Sequence, residues 1–82
     1  MNDSEQLKEA IDLALKGKWD EAHRLVQDLD DPTAAWIHGV LHKIEGDAAN
    51  AQYWYRRANR AYSEQDPKLE LAAIRQTIEP TP

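Results

Sequence analysis

Four breaks dominate the chain: Gly17, Asp30-Asp31-Pro32, Gly46-Asp47 and Asp66-Pro67. Glycine ends a helix because it accepts the left-handed conformation. Asp followed by Pro opens one, since the carboxylate caps free N–H groups and proline lacks only an N–H that a first turn leaves unpaired. Between the breaks, apolar residues recur three and four apart, the spacing of one helix face. The stripes are Leu7, Ala10, Ile11, Ala14 and Leu15; Trp19, Ala22, Leu25, Val26 and Leu29; Trp36, Ile37, Val40, Leu41 and Ile44; and Ala51, Trp54, Tyr55, Ala58 and Tyr62. A fifth helix runs from Asp66-Pro67 to about Ile78, before Pro80. Asp3 with Gln6 three residues on reads as a capping box for the first. The expectation is an all-α fold with no strand.

Connections this short force neighbouring helices to fold back on each other. One domain over 1–82 is therefore expected, with a first antiparallel hairpin at about 3–30, a second at about 31–63, a capping helix at about 66–78 and a tail at 79–82. Sliding the chain by 29 residues lays Leu7 on Trp36, Ile11 on Val40, Leu15 on Ile44, Gly17 on Gly46, Ala22 on Ala51 and Val26 on Tyr55. Size and polarity repeat where identity does not.

On these residues the chain resembles the tetratricopeptide repeat family. Trp36, Gly46, Ala51 and Tyr55 stand where its pattern asks for an early aromatic, a turn glycine, an alanine and a further aromatic. Gly17, Trp19, Ala22 and Val26 echo it in the first unit. Gly39, Val40 and Lys43 depart from it. The resemblance implies a right-handed stack of two hairpins, with helix five as its cap.

A chain of 82 residues has a thin core, and three Trp and three Tyr with no Phe must supply much of it. The tryptophans at 19, 36 and 54 are accordingly expected in the interior. Absence of cysteine excludes disulfides and thiolate metal sites. No run approaches a membrane span and no signal peptide is visible, so a cytoplasmic protein without a membrane partner is expected. The net charge of −5 argues against general nucleic-acid binding. Residues 1–31 carry nine acids against four bases, and residues 32–63 two against four.

Two polar groupings fall in that less acidic middle. Tyr53, Arg56, Arg57 and Arg60 share one side of helix four, an arrangement suited to carboxylates or phosphates. His38, His42 and Glu45 form a row on helix three that could chelate a divalent ion such as zinc, with His23 from the neighbouring hairpin as a fourth ligand. Gly39 stands where a zinc-protease helix needs glutamate, and no nucleophile set or phosphate-cradling loop is present. The first reading is thus a protein-interaction or self-association module without catalysis or cofactor, using the arginine face or a homodimer through Leu71, Ile74 and Ile78 on helix five. The second is a metal- or small-ligand-binding protein, or a hydrolase, centred on the histidine row.

Overall fold

A computed structural model describes residues 3–78. It holds five helices and, among the described residues, no strand: α1 Ser4–Leu15, α2 Trp19–Gln27, α3 Pro32–Ile44, α4 Ala48–Arg57 and α5 Pro67–Ile78. No helix among them is long and apolar enough to cross a membrane.

The helix starts follow from side-chain capping. Asp31 is extended, and its carboxylate accepts from the N–H groups of Thr33 at 2.7 Å and Ala34 at 3.4 Å while Pro32 opens the first turn. Asp47 accepts from the Asn50 N–H at 3.2 Å, and Asp66 from Lys68 and Leu69 at 3.1 and 3.2 Å. The capping box expected at Asp3 is not formed, because Asp3 is itself helical and its side chain makes no cap bond.

The helix ends obey the 29-residue echo down to individual hydrogen bonds. Gly17 and Gly46 have φ of +82° and +85°. Lys18 N–H reaches Leu13 C=O at 2.8 Å, and Asp47 N–H reaches His42 C=O at 2.9 Å. Gly17 N–H bonds Ala14 C=O and Gly46 N–H bonds Lys43 C=O, both at 3.1 Å. These are Schellman closures, which need a left-handed residue that glycine supplies without strain. A third closure was not foreseen. Asn59 takes φ +64° and Arg60 N–H returns to Tyr55 C=O at 2.9 Å, so α4 stops at Arg57 and Tyr62 lies beyond it.

In the packing, α1 meets α2, α3 meets α4, and α2 meets α3. The last helix lies against both α1 and α3 and reaches α4 through the Glu70–Tyr55 hydrogen bonds. It therefore spans the two helix pairs and does not simply cover the second. Under it sits one core of Leu7, Ile11, Val26, Ile37, Val40 and Leu41, closed by Leu71 and Ile74. Leu71 and Ile74, expected on a homodimer surface, are instead both 0% exposed within this chain, and Ile78 is half-buried against the same core. The outward side of α5 carries Leu69, Ala72 and Ala73.

The tryptophans do not fill the core either. Tyr55 is the largest fully buried side chain among the described residues, while Trp19, Trp36 and Trp54 are half-buried. Two of these indoles have their N–H groups bonded: Trp19 Nε1 donates to Leu41 C=O at 2.6 Å, and Trp36 Nε1 to Glu70 Oε2 at 2.8 Å.

Candidate functional sites

The arginine grouping is split by the turn at Asn59. Tyr53 is exposed, and Arg57 Nη1 donates to its hydroxyl at 3.3 Å while the guanidinium lies over Trp54, 5.3 Å from the ring centre. Arg56 is exposed nearby. Arg60 has left the row altogether, because the left-handed residue before it reverses the chain. Its guanidinium lies 3.4 Å from the ring centre of Trp36, a close cation–π contact. Four residues expected on one face are thus two sites, and neither presents clustered free guanidiniums.

Beneath Arg60 is a polar centre that local sequence did not signal. Glu70, 3% exposed, accepts from Trp36 Nε1, from the Tyr55 hydroxyl at 2.8 Å on each oxygen, and from Lys43 Nζ at 2.6 Å. Lys43 also donates to the carbonyls of Ser63 and Gln65, both at 2.8 Å. Every donor is matched, so this buried ion pair ties α3, α4, α5 and the segment after α4 together. Burial and the neighbouring carboxylate push the Tyr55 phenol far up, so it remains a donor.

The histidines do come together. His38 and His42 sit one turn apart on α3, and His23 reaches them from α2. His38 stacks on Trp54, with ring centres 3.8 Å apart, and His23 stacks on Trp19 at 4.8 Å. His23 meets His38 edge-on at 4.6 Å and His42 at 5.5 Å. Three imidazoles are thereby enclosed between two indoles. His42 Nδ1 lies 2.6 Å from Glu45 Oε1. His38 Nδ1 is buried with no hydrogen-bond partner among the described residues. Burial, with His23 and His42 beside it, pulls the His38 imidazolium down to about 3. His23 is lowered too, by burial first and then by His42, against the opposing pull of Glu45 and Asp20.

A third feature is an apolar trough of about 560 Å³ where the C-terminal ends of α1 and α3 meet the start of α5. Leu15, Ile44, Pro67 and Leu71 line it, with Lys16 and Lys68 among its polar residues. Leu15 and Ile44 are 36% and 43% exposed, although the stripe pattern counts both as core.

The class these observations define is a small all-α protein with an aromatic–histidine cluster on one side and a lysine-edged apolar trough on another. Comparison with protein-family models, with curated proteins and with solved structures finds no match.

Proposed function

We propose that the chain is a short helical-repeat docking module, similar in plan to a tetratricopeptide pair, whose trough takes a peptide segment carrying acidic residues beside large aliphatic ones. The observation that carries this reading is the exposure of Leu15 and Ile44. They occupy equivalent positions in the two units, 29 residues apart, each two places before its turn glycine. Exposed aliphatic side chains converging on one trough mark an association surface more often than isolated ones do.

Charge defines the partner. Lys16 and Lys68 form no direct ion pair among the described residues, Lys16 acting on Asp12 only through space, whereas Lys43 is held by Glu70. The Asp66 carboxylate is engaged with the first turn of α5. On a chain of net charge −5 this trough is a local basic exception, and such complementarity favours acidic partners. Selection of a displayed random peptide library on the purified chain should enrich sequences that pair Asp or Glu with Leu, Ile or Phe. Their binding should fall at least tenfold in Ile44→Glu and in the Lys16→Glu/Lys68→Glu double variant. Selection without an acidic, apolar bias, or binding indifferent to both variants, would defeat the proposal.

A further inference from the structure

We propose that His23, His38 and His42 form a mononuclear site for a late first-row divalent ion of the zinc, copper and nickel kind. One ligand nitrogen from each lies within 4.8 Å of the others. Nitrogens around a tetrahedral zinc, at about 2.0–2.1 Å from the metal, stand roughly 3.3 Å apart, so the three need draw together by no more than about 1.5 Å to close the set. The chain places them by two independent devices. One helical turn on α3 aligns His38 with His42, and packing of α2 on α3, pinned by the Trp19 bond to Leu41, brings in His23.

Two further observations point to a ligand and not to plain ring packing. The first is the orphaned Nδ1 of His38, in a residue only 4% exposed. A buried polar atom without a partner is costly, and coordination through that nitrogen would end its isolation. The second is the Glu45 carboxylate on His42 Nδ1. A carboxylate on one ring nitrogen fixes the tautomer and turns the lone pair of Nε2 outward, which is how metal-bound imidazoles are commonly oriented.

The surroundings suit the chemistry. Metal coordination needs neutral imidazole, and a ring as buried as His38, set against two others, is poor surroundings for the charged form. Three imidazoles with no thiolate in the chain favour zinc, copper or nickel over magnesium or calcium, which prefer oxygen. His23 is half-buried, so the cluster meets solvent on its side, and three protein nitrogens leave a tetrahedral ion one further position. Three protein nitrogens and one exchangeable position describe an open site.

A second grouping competes for His42: a ligand atom each from His42, Glu45 and Asp47 also lies within 4.8 Å. Asp47, however, is already engaged with the main-chain and side-chain nitrogens of Asn50, and Glu45 with His42. With His42 ligating through Nε2, the three-imidazole set needs none of those bonds broken.

Calorimetric titration of the full chain with zinc chloride, beside thermal melts, tests the assignment. The expected result is one zinc per chain, a Tm raised by roughly 10 °C at a hundredfold excess over Kd, and quenching of tryptophan fluorescence when copper replaces zinc. His23→Gln changes a half-buried residue and should weaken binding at least a hundredfold with the apo melt little altered. Glu45→Gln should weaken it about tenfold, as loss of an outer-shell partner does. Absence of heat and of any Tm shift would overturn the proposal. So would affinity retained in His23→Gln, or affinity lost in Asp47→Asn while His23→Gln keeps it.

Discussion

A Cβ at Gly39 would lie 2.7 Å from Cδ1 and 2.9 Å from Cε1 of Tyr55, and 3.2 Å from the Ala51 carbonyl oxygen. The ring cannot step aside, because its hydroxyl is bound to both oxygens of Glu70 and its edge is packed in the core. Gly39→Ala gains about 1 kcal/mol of helix propensity but overpacks a sealed contact, which typically costs about 1–3 kcal/mol. Net destabilisation is therefore expected in urea unfolding at 25 °C, and a variant as stable as the parent would contradict the packing. The sequence showed Gly39 as a departure from the repeat pattern and from the zinc-protease helix; its reason sits on another helix, 16 residues away. Glu70 was hidden in the same way. A glutamate between Leu69 and Leu71 reads locally as solvated, and nothing near it announces that Trp36, Lys43 and Tyr55 converge there. His23 was legible beside His38 and His42 because short turns leave few ways to pack neighbouring helices.

Among the elements, the ends at Gly17 and Gly46 were as readable as the capped starts, and the end of α4 was not. Asp31, Asp47 and Asp66 are capping residues in a pattern that sequence alone exposes, whereas Asn59 closes α4 in a left-handed conformation that asparagine tolerates without advertising. The lie of α5 was not legible, since apolar residues flank it on two sides and only tertiary packing chooses between them. Its register on α1 is marked by Arg75 Nε and Nη2, which donate to the two oxygens of Asp12 at 3.0 and 3.2 Å. The Arg75 bonds hold the Asp12 carboxyl below its ordinary range, against a smaller opposing effect of burial. A folded pKa below the unfolded one means that the bridge contributes fully above about pH 4 and is lost as pH falls through the folded value. Both partners are partly exposed, so the contribution is small. Urea unfolding of the parent and of Asp12→Asn should differ by a constant amount from pH 5 to 8, and the gap should close below about pH 4. A gap that widens in acid would show that the bridge is absent.

For the molecule as a whole, α5 decides between two kinds of stability. In an open row of repeats each unit contacts only its neighbours, so the units can unfold separately. Here α3 touches every other helix, and α5 adds a second connection between α1 and α3. Leu71 and Ile74 enter a core to which α1, α2, α3 and α4 all contribute. Removing either side chain should thus weaken both helix pairs, not the second alone. Leu71→Ala should cost about 2–5 kcal/mol, a large share of the roughly 5–15 kcal/mol that small domains possess. Tryptophan fluorescence and far-ultraviolet circular dichroism should give coincident urea transitions for the parent. Hydrogen exchange should show the slowest amides of α1 and α3 opening with one free energy, and Leu71→Ala lowering both equally. Loss of protection confined to α3 and α4 would mean that the two pairs are separate units and that α5 merely covers the second.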